Sequence, residues 1–351
     1  MIGDIMNGNR KIVYRYRHRR RKFSKRFLVL VSIVVMGVFA YFVIGALGVA
    51  DEAENDSEEY VVAPTPTPPP PEHIDISLLR TNFDDRALVY IFYYENIEVD
   101  MTRHHVIDDE GFVNSISRDP ANNSITIHTD VPVIFFTQYS HATMNVYITA
   151  VNPREVFNKI VIIDPGHGGA DAGSVVGDVH ESNITLSISL YLYELFQNSD
   201  SDIRAYLTRF DDSFVYNVRR SHIANTVGDL LVSIHTNAYE GCTTVSGTET
   251  LFNSNSPMDR YGNLGRFDMS NSDFSQIMQN HLVAELGARD RGLFERRDLL
   301  LLNTSSVPTA YVEIDFKTNP QALANLTNSM HQQRVAQALY RGIVEAFNII
   351  P

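Results

Sequence analysis

The hydrophobic pattern changes character three times along the chain. Phe27 to Ala50 is an apolar stretch without a charged residue, long enough to cross the ~30 Å hydrocarbon core of a bilayer as a helix. From residue 74 to 153, short apolar runs alternate with turn residues. Ala87–Tyr94, Ile125–His128, Val131–Phe136 and Met144–Val151 are strand candidates, and Pro120-Ala121-Asn122-Asn123 is a loop. That spacing predicts a small β-rich domain.

From residue 154 to 351 the pattern alternates between β-branched runs and helical periodicity. Strands are expected at Lys159–Asp164, Ile203–Thr208, Leu230–His235, Gly247–Phe252, Leu299–Leu302 and Thr309–Asp315. Helices are expected at Asn183–Gln197, Tyr216–Val227, Asp273–Leu286, Pro320–Leu326 and Met330–Phe347. Asn319 before Pro320 is an N-cap followed by proline at the first helical position. Val335, Leu339, Ile343 and Phe347 form one core stripe on the last helix. The order predicts an α/β domain built on a mixed sheet with helices on both faces.

Charge refines this picture. Residues 1–26 hold ten Lys or Arg against the single acid Asp4, a basic arm directly before the apolar run. Positive-inside logic keeps that arm cytoplasmic, makes 27–50 a single-pass transmembrane helix and exports everything after Ala50 to the outside of the cell membrane. The remainder has 19 basic and 41 acidic residues, about −22 in all, so nucleic acid is excluded as a partner. Residues 51–73 begin acidic and end in a run of prolines, a stiff stem between membrane and folded parts. The single cysteine, Cys242, cannot form an intramolecular disulfide.

Candidate chemistry collects at strand ends, where α/β enzymes keep their sites. The run Lys159–Ile163 is broken by Asp164-Pro165-Gly166-His167-Gly168-Gly169, which leaves His167 on a loop. Glu181 precedes a helical pattern with apolar residues at 184, 188, 192 and 195, near a helix start. The strand Leu230–Ile234 stops on His235. In Thr309–Asp315, alternation puts Glu313 on the face opposite Val312 and Ile314, where a buried carboxylate needs a cation or a raised pKa. Two histidines and a carboxylate are a common ligand set for catalytic zinc. His167, Glu181 and His235 are therefore assigned to Zn²⁺, and Glu313 to carrying the proton from water to a leaving nitrogen.

The motifs IDPGHGG-ADAG, Glu181, SIHTNA and VEIDF followed by Asn319-Pro320, in that order over about 159–347, resemble the zinc-dependent N-acetylmuramoyl-L-alanine amidases. The resemblance implies an α/β fold and metal ligands at His167, Glu181 and His235. It also implies a catalytic Glu313 and hydrolysis of the amide between N-acetylmuramic acid and L-alanine, with peptidoglycan as substrate. Arg291-Gly292 matches an Arg-Gly step that precedes the family's penultimate strand. Asp315, Lys317 and Thr318 depart from the family's usual Gly, Leu and Ser. A wall-binding regulator without catalysis, and an exported zinc peptidase or deacetylase, are the alternatives.

Overall fold

The computed structural model describes residues 6–7, 10–11, 79–84, 88–94, 104–121, 124–140, 145–257 and 268–349. Apart from 6–7 and 10–11, the expected basic arm, transmembrane helix and proline-rich stem lie outside the described residues, as does the Asn122-Asn123 turn. Among the described residues no helix is long and apolar enough to cross a membrane. Residues 69–351 form one unit, which holds both the strand-rich and the α/β parts.

Among the described residues its first part contains seven strands: β1 (Leu79–Asp84), β2 (Val89–Tyr94), β3 (His104–Ile107), β4 (Val113–Asp119), β5 (Ser124–Thr129), β6 (Ile134–Ser140) and β7 (Asn145–Val151). They form a four-stranded sheet, β1-β2-β5-β4, and a three-stranded one, β3-β7-β6. The pattern of apolar runs reveals β2, β5, β6 and β7 and misses β1, β3 and β4. All three are edge strands, and β4 has no buried residue, as edges often avoid apolar side chains.

The second part is a six-stranded mixed sheet. Its strands are β8 (Lys159–Pro165), β11 (Ile203–Leu207), β12 (Leu230–Asn237), β13 (Thr248–Phe252), β14 (Asp290–Glu295) and β15 (Thr309–Phe316), in the order β11-β8-β12-β15-β13-β14. Only the β13–β15 pairing is antiparallel. The short hairpin β9 (Val175–Val176) and β10 (Val179–His180) leads into α1 (Glu181–Gln197). The other helices are α2 (Asn217–Val227), α3 (Asn271–Leu286), α4 (Leu300–Thr304), α5 (Pro320–Leu326) and α6 (Ser329–Ile349).

Alternation along the strands divides the core between two faces. Val161, Ile163, Val232, Ile234, Val312 and Ile314 pack with α1, α3 and α6, including the expected stripe of Val335, Leu339, Ile343 and Phe347. On the opposite face Ile160, Ile162, Tyr206 and Leu231 pack with Ile223, Ala224 and Val227 of α2 and Leu301 of α4. Phe112, Val131 and Val133 from the strand-rich part join this second cluster. At roughly 1.5–3 kcal/mol per fully buried large apolar side chain, this face depends on what 112–133 supplies.

Two expectations need correction. Leu299–Leu302 is not a strand: Leu299 and Leu301 carbonyls accept from the amides of Asn303 and Ser305 at 3.0 Å, closing the helix α4. Its apolar run is short enough to satisfy either period. The edge strand is β14 instead, so Arg291 and Gly292 lie within the penultimate strand rather than before it. Its Asp290, Arg291 and Glu295 hide the strand from an apolar-pattern reading.

Candidate active site

Because β8, β12 and β15 run parallel at the sheet's centre, they deliver Pro165-Gly166-His167, His235 and Glu313 to the same edge. His235 and Glu313 are direct partners across β12 and β15. Glu181, the first residue of α1, is brought there by the β9–β10 hairpin. The four residues assigned from sequence thus share one site.

Glu181 Oε1 lies 3.2 Å from His167 Nε2 and 3.0 Å from His235 Nδ1, and these two nitrogens are 3.2 Å apart. Among the described residues, His167, Glu181 and His235 are the group whose ligand atoms converge, all within 4.8 Å. The chain holds each atom in place. The other carboxylate oxygen, Oε2, accepts from Ser174 N at 3.0 Å and Ser174 Oγ at 2.7 Å, with Lys317 Nζ at 3.9 Å. Lys317, fully buried, also donates to the Ser174 carbonyl. His167 Nδ1 lies 2.9 Å from Asp171 Oδ2, which directs Nε2 into the site. The ring of Tyr311 stacks on His235 at 4.0 Å.

Close backbone approach explains two glycines. A Cβ on Gly166 would enter the His235 ring, and one on Gly173 would lie 2.6 Å from His167 Cδ2 and 2.8 Å from Glu181 Cβ. His167 itself adopts φ 61°, a left-handed conformation that costs of order 1 kcal/mol and persists only when its surroundings enforce it. Two buried arginines do so. Arg220 donates to the carbonyls of Pro165 and His167, both at 2.6 Å, and Arg209 to those of Pro165 at 3.0 Å and Gly166 at 2.7 Å. Asp164 pairs with Arg220 at 2.6 Å and accepts from Ser233 and Thr208.

These contacts set the charges. Burial alone raises the Asp164 pKa, but Arg220 and the three hydrogen bonds outweigh it and the result lies below the ordinary aspartate value. Burial opposes ionisation of Glu181 too, and the two histidines reverse it, so Glu181 is a carboxylate. His167 is pushed down by burial and more strongly up by Glu181 and Asp171, whereas burial prevails at His235 and lowers it. Glu313 differs from all of these. It is 9% exposed, its Oε2 has no hydrogen-bond partner among the described residues, and burial followed by the charges of Glu181 and Glu249 raises its pKa well above the usual range.

Donor chemistry and orphaned carboxylate fit a metal site: two imidazole nitrogens and one carboxylate oxygen facing one point, with an acid-base group beside them. The comparison with known proteins agrees. The family model described as N-acetylmuramoyl-L-alanine amidase matches residues 161–345. The chain belongs to that family. The amidase region is 33% identical over 196 residues to the uncharacterized protein YqiI of Bacillus subtilis, covering 55% of this chain and 86% of that one. It is 28% identical to the N-acetylmuramoyl-L-alanine amidase CwlM of Bacillus licheniformis, covering 54% and 69%. A solved N-acetylmuramoyl-L-alanine amidase from Clostridium difficile 630 is similar at 27% identity, covering 54% of this chain and 97% of that one, with a TM-score of 0.49.

Several residues around the amidase site were not assigned a role from sequence: Asp171 and Ser174 act on the nearby His167 and Glu181, and Arg209, Arg220 and Tyr311 act through partners far along the chain. Glu249 faces Glu313 across β13 and β15 and binds Arg291 Nε at 2.7 Å and Asn237 Nδ2 at 2.8 Å. The three departures from the family pattern each acquire a partner. Asp315 accepts from Gly247 N at 2.8 Å, Lys317 serves Ser174 and Glu181, and Thr318 Oγ1 accepts from Tyr239 N at 3.1 Å. Asp315 is thus engaged with a turn and not with Glu313. Cys242 lies outside the converging group and contacts Thr244 Oγ1 at 3.4 Å.

Proposed function

We infer that the chain hydrolyses the amide between N-acetylmuramic acid and the L-alanine of the stem peptide in peptidoglycan, using Zn²⁺ held by His167, Glu181 and His235. One observation carries this reading: the three donor atoms meet beside a buried carboxylate, Glu313, whose Oε2 has no hydrogen-bond partner among the described residues. Zinc held by these three residues would supply Lewis acidity and lower the pKa of a water to ~7. Glu313 performs the proton work. Buried beside the ligand atoms with Oε2 unpartnered among the described residues, it accepts a proton from the attacking water and passes it to the alanine nitrogen, which is a poor leaving group until protonated. His235 stays neutral through burial, His167 is oriented by Asp171, and Lys317 with Ser174 occupies the Glu181 oxygen that faces away from the ligand atoms.

The same reading places the catalytic part outside the cell membrane on an anchor at 27–50, with 1–26 cytoplasmic, 51–73 as stem and 74–153 as a β-rich domain before the catalytic region. The apolar run, the arginines before it and the acidic, proline-rich segment after it support this arrangement. Digestion of purified peptidoglycan tests the activity. Stem peptides with a free N-terminal alanine are expected. Cleavage within the peptide, or release of acetate, would replace the amidase with the peptidase or deacetylase alternative, and intact peptidoglycan would leave the silent regulator.

A further inference from the structure

Loop 211–216 carries two aromatic side chains that the fold leaves in solvent. Phe214 is 45% and Tyr216 71% exposed, and their rings pack against each other at 82° with centroids 4.7 Å apart. Val218, exposed on the first turn of α2, extends the patch. Exposed apolar clusters of this kind mark contact sites more often than accidents of folding.

Its position decides what it contacts. Arg220 donates to the carbonyl of Val215, between the two aromatics, at 3.0 Å and to the carbonyl of His167 at 2.6 Å. One guanidinium therefore fixes the aromatic segment and the loop bearing His167 together. Asp212 Oδ1 accepts from Gly169 N at 3.1 Å, and a Cβ on Gly169 would meet Phe214 N at 2.8 Å. The segment that bears the rings is thus tied to the loop that carries His167.

The acyl half of the amide proposed above is borne by a sugar, so sugar rings must lie immediately beside the ligand atoms and continue away as a polymer. Sugars present uncharged C–H faces that stack on aromatic rings, with hydroxyl and acetamido groups at their edges. The exposed Asp212 and the Asn217 side chain, beside the rings, offer hydrogen-bond partners for those edges. We propose that Phe214 and Tyr216 form a stacking platform for the glycan strand, a subsite that positions the sugar carrying the scissile amide or its neighbour. This inference rests on the amidase reading and extends it from the bond cut to the polymer held.

The test is calorimetric titration of the full chain with peptidoglycan glycan strands stripped of their stem peptides, which can bind but cannot be hydrolysed. Phe214→Ala/Tyr216→Ala should weaken binding about tenfold or more, while the ring-preserving Phe214→Tyr and Tyr216→Phe retain it and control for folding. Equal affinity in wild type and the double alanine variant overturns the platform. Absence of binding by the wild type also overturns it, and would leave the patch as a protein contact. A wild type that binds strands yet releases no stem peptide with a free N-terminal alanine from whole peptidoglycan refutes the amidase reading instead, so the two failures are distinct.

Discussion

Glu313 and Asp164 are both buried carboxylates, and their surroundings send them in opposite directions. Asp164 has a guanidinium and three hydrogen bonds, while Glu313 has an orphaned oxygen and two carboxylates nearby. Replacing Glu313 by Gln keeps its shape and should lower turnover by about 10²-fold or more. The melting temperature should change little, because the amide keeps the volume of a side chain that burial already drives toward its uncharged form. An unchanged rate in steady-state hydrolysis would end the proton-carrier role. Asp164 gives a pH signature of the opposite sense. Its folded pKa is depressed, so its contribution is fully present above the ordinary value of 3.8 and disappears as pH falls through the lower folded value. Asp164→Asn should therefore destabilise at neutral pH and flatten stability against pH in the acid range. Parallel acid titrations in both proteins would contradict this. The four site residues were legible because His167, His235 and Glu313 end or interrupt apolar runs and Glu181 stands at the start of a helical pattern. Arg209, Arg220 and Lys317 were not, since their function lies in carbonyls that only the folded chain brings near.

At the scale of elements, the clamp on 165–167 explains how a histidine at φ 61° is maintained. Arg220→Lys keeps the charge but cannot reach Asp164 and the carbonyls of Pro165, Val215 and His167 together. Stability should fall by about 3 kcal/mol, the scale of a broken buried pair, as read by denaturant unfolding, and a loss below about 1 kcal/mol would reduce the clamp to incidental contacts. Central elements were readable from pattern alone because buried parallel strands are continuous apolar runs. The edge strand β11 was readable too, but β14 was not, because Asp290, Arg291 and Glu295 leave it no apolar run, and the short run of α4 fits either period.

The whole molecule depends on its strand-rich part more than a sequence division at residue 153 suggests. Phe112, Val131 and Val133 complete the core over Ile160, Ile162 and Ile223, and Arg219 binds Asp130 at 3.0 Å across the same contact. Phe112→Ala should cost about 3–5 kcal/mol and lower the melting point of the amidase region itself. A shift confined to a separate, earlier transition would show two independent folding units. Function in turn requires a division of labour at the site, three residues for the metal and a fourth for protons. Zinc content per chain, measured side by side in wild type, Glu313→Gln and His167→Ala/His235→Ala, tests it most directly. One equivalent is expected in the first two and none in the third; zinc lost with Glu313, or retained without the two histidines, would contradict the assignment.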